Sequence, residues 1–186
     1  MSMMLTAFRR GFHTRNVSAL YGMIVAQARM PVFYFYCGVP DTVEGRFELI
    51  VLHLVLVLRR LERSDDPNGT GRNLGQRLFD AFCRDLDDNL REMGVGDLAV
   101  PREMRRFAEA FYGRKAAYLA AIEIADQGEL EKAVARNIFG TRSADERAAR
   151  LARYALAAAA LLDAETDNSF VAGTKVFPAP EAIFHA

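Results

Sequence analysis

Asp85-Leu86-Asp87-Asp88 fits D-x-D-D, a pattern that supplies a catalytic acid in some cyclases. On a helix, Asp87 and Asp88 fall on the polar face and Asp85 at its apolar edge, with Arg84 and Arg91 at ion-pairing spacing. That spacing favours a solvated, paired face over a catalytic acid. A carboxylate-bridged di-metal site in a helical bundle needs Glu-x-x-His pairs. His13, His53 and His185 follow Arg10, Ile50 and Ala182 at that offset, so none fits. His53 lies inside an apolar helix, which predicts a buried histidine with one hydrogen bond. Glu44 and Glu48 are one turn apart, but nothing completes a ligand set, and surface or capping roles suit them better. Gly69 to Gly75 (GTGRNLG) opens a helix where a phosphate could dock, yet the P-loop Lys-Ser/Thr is missing and no strand precedes it. Cys37 and Cys83 form no C-x-x-C and have no nearby histidine, which argues for a reducing compartment and against a catalytic thiol. Lys115 falls among Met104, Phe111 and Ile122, where it either snorkels its ammonium to water or marks a groove for a partner's acidic group. These patterns predict a protein that is no enzyme, holds no metal, haem or other cofactor, and takes no small-molecule substrate.

The elements that position these residues are helical. Apolar periodicity predicts a first helix from about Val17 to Arg29, stopped ahead of Pro31. Asp41, with Glu44 three residues on, predicts a capping box for a helix reaching about Arg63. That helix is apolar on every side from Leu49 to Leu58 and should be the buried centre. Ser64 to Gly71 is a loop. Phe79, Phe82, Leu86, Leu90 and Met93 then mark one face of an amphipathic helix ending at Gly94. Further helices are expected from Arg102 to about Ala125, from Glu129 to Phe139, and from a Ser143/Glu146 capping box to about Asp163. The predicted fold is all-α, a single-domain irregular or orthogonal helical bundle over 16–163, with a flexible basic arm over 1–15 and an irregular tail over 164–186.

Composition narrows the function classes. With 24 basic and 24 acidic residues the formal net charge is zero, which disfavours a DNA binder. The chain before Asp41 carries Arg9, Arg10, Arg15 and Arg29 and no acid, an arm suited to an anionic membrane surface or to RNA. No secretory signal pattern is visible, and the Leu49–Leu58 run is far short of the roughly 20 apolar residues a membrane span needs. Phe33, Tyr34, Phe35 and Tyr36 are consecutive. Neither a helix nor an extended segment turns all four toward one core face, so one or two should be exposed. Exposed aromatics are natural binding anchors.

Several stretches resemble the ubiquinol–cytochrome c chaperone family: Leu20-Tyr21-Gly22, Val25 to Arg29 (VAQAR), Pro31 to Tyr34 (PVFY), Gly38 to Glu48 (GVPDTVEGRFE), Leu52-His53, Leu90 to Asp97 (LREMGVGD) and Ala110 to Arg114 (AFYGR). The resemblance runs from about Ser18 to Ile124. It implies a non-catalytic assembly factor of the cytochrome bc1 complex, with newly made cytochrome b as client. It further implies a place at the cytoplasmic face of the inner membrane for a bacterial-type member, or in the mitochondrial matrix for a processed organellar one. A ribosome or the inner-membrane surface is a further expected contact. The client surface is expected at Phe33, Tyr34 and Tyr36, with Arg46, Tyr112 and Arg114 as its polar and cationic rim. Two rival functions remain at this point: a helical enzyme acting on an isoprenoid or quinone diphosphate, suggested by D-x-D-D, and a ribosome- or RNA-associated adaptor, suggested by the basic arm.

Overall fold

The computed structural model describes residues 16–67, 69–172 and 177–184. They form helices α1 (16–28), α2 (Pro31–Phe35), α3 (Val43–Glu62), α4 (Thr70–Glu92), α5 (Val100–Glu123), α6 (Gln127–Ile138), α7 (Glu146–Ala164), α8 (Asp167–Ala172) and α9 (Pro180–Phe184), with no strand among them. The all-α bundle expected from periodicity is the fold observed. Arg9, Arg10 and Arg15 of the basic arm, together with His13 and His185, lie outside the described residues.

Helix α3 is the axis, and α4, α5, α6 and α7 pack around it. Every residue from Val51 to Leu58 is buried, as an all-round apolar helix requires. Each fully buried leucine on it contributes about 1.5–3 kcal/mol. Helix α7 approaches closely because Ala148, Ala152, Ala155, Ala158 and Ala159 present only methyl groups to the core.

Two of the expected helix caps are displaced. Thr42, not Asp41, caps α3, its hydroxyl accepting from Gly45 N at 3.1 Å. Asp41 instead pairs with Arg46 at 2.7 Å. Asp145, not Ser143, caps α7 and accepts from Arg147 N and Ala148 N at 3.0 and 3.1 Å. In each case a neighbouring residue has the extended backbone that aims its oxygen at the open amides. Gly45 serves a second purpose, because a Cβ there would stand 2.0 Å from the Pro40 carbonyl oxygen. Only glycine lets the α2–α3 turn fold back on the first turn of α3.

The tail read as irregular contains α8 and α9, and Phe170, Phe177 and Pro180 are buried. Those side chains supply apolar area enough to order a segment with little helical periodicity of its own.

At its carboxyl end α3 is belted by charge. Arg59, itself buried, reaches Glu123 at 2.9 Å and Asp163 at 2.8 Å. Arg63 takes the other Glu123 oxygen at 2.8 Å. Arg60 reaches Asp167 at 2.9 Å and donates to the Glu165 carbonyl at 2.7 Å. Ser64 donates to Asp167 as well. The belt ties α3 to α5, α7 and α8.

Candidate functional site

Helix α2 is one and a half turns long, so its aromatics leave the axis about 100° apart. Phe33 points inward and is fully buried, its ring 4.8 Å from Tyr154 and 5.3 Å from His53. It belongs to the core and is removed from the expected surface. Phe35 points outward and is 90% exposed. Among the four consecutive aromatics it is the one most open to solvent. The periodicity demands that one ring face outward, but choosing it requires knowing where the core lies, which local sequence does not tell.

Tyr34 is half-buried and donates its hydroxyl to the Ala28 carbonyl at 3.0 Å. Burial raises its pKa, with the Asp41–Arg46 pair next to influence it, so the three groups share one corner. Arg46 is exposed, and its hydrogen bond holds the Asp41 carboxyl below the ordinary carboxylate range. Tyr36 lies at the edge of exposure. The Arg150 guanidinium stands 4.8 Å from its ring, Arg150 donates to its carbonyl at 2.8 Å, and the Phe184 ring is 4.9 Å away.

The other two expected rim residues lie elsewhere. Tyr112 is 57% exposed on α5, against Phe111 and Phe79 at 5.6 and 6.0 Å, at the margin of an aromatic stack that also includes Phe47, Phe82 and Phe107. Arg114 is no free cation. Its guanidinium grips both oxygens of the buried Glu48 at 2.7 and 2.5 Å. Burial still raises the Glu48 pKa against the pull of Arg114. The structure thus brings Tyr34, Phe35 and Arg46 to the α2–α3 corner, places Tyr36 where α7 and α9 meet it, and commits Arg114 to the interior.

Behind the corner lies a network that local spacing did not disclose. Gln27 donates to the Tyr154 hydroxyl and to the Pro178 carbonyl, both at 3.0 Å. The Tyr154 hydroxyl donates to His53 Nε2 at 2.9 Å, and His53 Nδ1 donates to the Leu49 carbonyl at 2.7 Å. The Leu49 carbonyl only accepts, so Nδ1 carries the proton, and with burial holding the imidazole neutral Nε2 accepts from Tyr154. Its bonds number two, not one. Burial pushes its pKa down to about 4. The partners are 101 and 127 positions apart in sequence, beyond any local signal.

The other reactive types are committed to internal contacts. Asp85 accepts from the Tyr21 hydroxyl at 2.8 Å, and Asp87 pairs with Arg91 at 2.7 Å, so the D-x-D-D face is a packing and ion-pair surface. Lys115 reaches Glu62 at 2.5 Å. Burial pushes the Cys37 thiol up to about 12 and raises that of Cys83. Asp66 accepts from Thr70 N at 3.2 Å and closes the glycine-rich helix start. Among the described residues no three His, Cys, Asp or Glu side chains are grouped to hold a metal ion, and no helix is long and apolar enough to cross a membrane. A cleft of about 630 Å³ opens beside the belt, but its arginines are already bound to Glu123, Glu165 and Asp167.

Phe35 stands exposed at the α2–α3 corner, where Tyr34 and the Asp41–Arg46 ion pair also lie. Residues 35–177 match the family model described as ubiquinol-cytochrome C chaperone. The ubiquinol-cytochrome-c reductase complex assembly factor 1 of Xenopus laevis is 24% identical over 128 residues, 69% of this chain and 62% of that protein. The assembly factor of the same name from Mus musculus is 25% identical over 69% of this chain and 42% of its own. The match therefore spans less than two thirds of either relative. The crystal structure of the Cbp3 homolog from Brucella abortus superposes with a TM-score of 0.87 at 34% identity, covering 98% of this chain and 99% of that one. This chain belongs to the ubiquinol–cytochrome c chaperone family.

Proposed function

We propose that this protein is a non-catalytic chaperone of cytochrome bc1 complex assembly that holds newly made cytochrome b. The match of residues 35–177 to the ubiquinol-cytochrome C chaperone model, with the likeness to two reductase-complex assembly factors, carries this reading. The exposed Phe35, between Tyr34 and Tyr36 in the chain, supports it physically: a solvent-facing aromatic anchor suits an apolar client segment. The whole-length match to a bacterial protein favours action at the cytoplasmic face of the inner membrane. The mechanism is reversible shielding. The chaperone covers a client segment until haem insertion or subunit addition competes for the same surface.

The test is chemical crosslinking in native membranes followed by purification of this protein and identification of what it carries. Cytochrome b is expected as the main crosslinked protein. A captured set dominated by ribosomal proteins or RNA, with cytochrome b absent, would replace this reading with an adaptor function.

A further inference from the structure

Residues 177–184 (FPAPEAIF) lie in a groove walled by α1, α2, α3 and α7. The Phe177 ring meets His53 edge-on at 5.2 Å. The Phe184 ring sits 4.9 Å from Tyr36 and 6.0 Å from Tyr154. Between them Gln27 donates to the Pro178 carbonyl at 3.0 Å. Among the described residues no backbone-to-backbone hydrogen bond joins this segment to the rest of the chain. It is held as a bound peptide is held, by side chains in an aromatic groove and one amide aimed at a carbonyl.

The segment's sequence suits such a groove. Burying backbone strands N–H donors unless each finds a partner, at a cost of about 1–3 kcal/mol for each. Pro178 and Pro180 have no N–H to strand. Pro180 and Phe177 are buried, while Ala179, Glu181 and Ala182 face solvent. Proline also fixes its own backbone dihedral, so little conformational freedom is lost when such a segment docks. One groove wall, Tyr36, is next in the chain to the exposed Phe35.

We infer that this groove is a docking site for a proline-bearing apolar segment of the client protein, and that residues 177–184 are its internal occupant while no client is bound. The identity of the partner rests on the client-binding reading above; the groove itself does not. A tethered segment competes at an effective concentration of about millimolar, so the free chain is shielded from indiscriminate apolar binding and yields to a segment that binds better.

The experiment uses a fluorescent synthetic peptide with the sequence of residues 177–184 and the full chain. Against the unaltered protein its affinity should be weak. Against Phe184→Ala, and against the Phe177→Ala/Phe184→Ala pair, it should bind roughly tenfold tighter or more, because the internal competitor is weakened. Adding Tyr36→Ala, or replacing both prolines of the peptide by alanine, should remove the gain. If the variants keep the unaltered melting temperature and bind the peptide no better, the groove is not a docking site. If Phe184→Ala by itself unfolds the protein, the segment is core and the inference is overturned. A stable dimer with exchanged segments in sedimentation would assign the groove to a second copy and overturn it too. A gain in peptide binding by a protein that never captures cytochrome b upholds the groove and removes the client reading, while capture of cytochrome b with no gain does the reverse.

Discussion

The carboxyl end of α3 and the region around its midpoint are built from opposite chemistry. At the carboxyl end Arg59, Arg60 and Arg63 meet Glu123, Asp163 and Asp167, and each arginine is bound within the chain. Around His53 the contacts are the rings of Phe33, Tyr154 and Phe177, with a short string of directed hydrogen bonds. The first region has the residues usually associated with ligand binding and uses them on itself. The second is apolar, yet it reaches the surface through Phe35 and Tyr36. Charge marks where helices are clamped together, and the aromatic region is where the fold leaves a large ring, Phe35, uncovered.

The sharpest way to break this contrast is to remove one member from each side. Phe33→Ala is expected to destabilise by about 3–5 kcal/mol, the range for a fully buried phenylalanine whose site collapses only in part. Arg59→Ala is expected to cost less, about 2 kcal/mol, because Glu123 and Asp163 retain access to water once the pair is broken. Urea unfolding of both variants measures the order. A larger loss for Arg59→Ala would make the belt the principal support and undo the comparison.

A smaller effect separates the two regions by pH. His53 is neutral in the fold, with its pKa lowered from 6.5 to about 4. A depressed folded-state value means the unfolded chain takes up the proton first. The stability His53 contributes is therefore whole above pH 6.5 and is lost as pH falls toward 4. Between pH 7 and pH 5 the loss is about 2 kcal/mol. In His53→Gln that part of the slope should vanish while the surface carboxylates keep theirs. Parallel stability-against-pH curves for the two proteins would show that His53 titrates alike in the folded and unfolded chain and that burial does not hold it neutral.

Much of this was legible before any contact was known. The all-round apolar run over Leu49–Leu58 identified the central helix, because no amphipathic face means no solvent side. The stretches from Gly38 to Glu48 and Ala110 to Arg114 placed the chain in its family. Their shared pattern has physical content here: Gly45 admits the Pro40 carbonyl, and Arg114 neutralises Glu48. That second role was misread from sequence, since nothing local shows that Glu48 is buried 66 positions away. Caps were placed one or two residues off at Asp41 and Ser143, where several oxygen-bearing side chains adjoin and backbone direction decides among them. The tail reads as irregular because Pro178 and Pro180 interrupt it, whereas Phe170 and Phe177 are buried by tertiary contact.

The smallest expected change in stability carries the most information about function. Phe33 and Phe35 are the same residue two positions apart on one short helix, one fully buried and the other 90% exposed. Phe35→Ser removes a ring that the fold does not cover, so the melting temperature should stay within the range of an ordinary surface change, about 0.5 kcal/mol. Binding has the opposite expectation. A central aromatic anchor commonly costs about 2 kcal/mol or more when truncated, near thirtyfold in affinity. Cytochrome b recovered with Phe35→Ser after crosslinking should therefore fall steeply, while Tyr112→Ser, at the margin of the α4–α5 stack, should change recovery little. Equal recovery for Phe35→Ser and the unaltered protein would move the client surface away from the α2–α3 corner. A fall with Tyr112→Ser alone would place it on the face shared by α4 and α5.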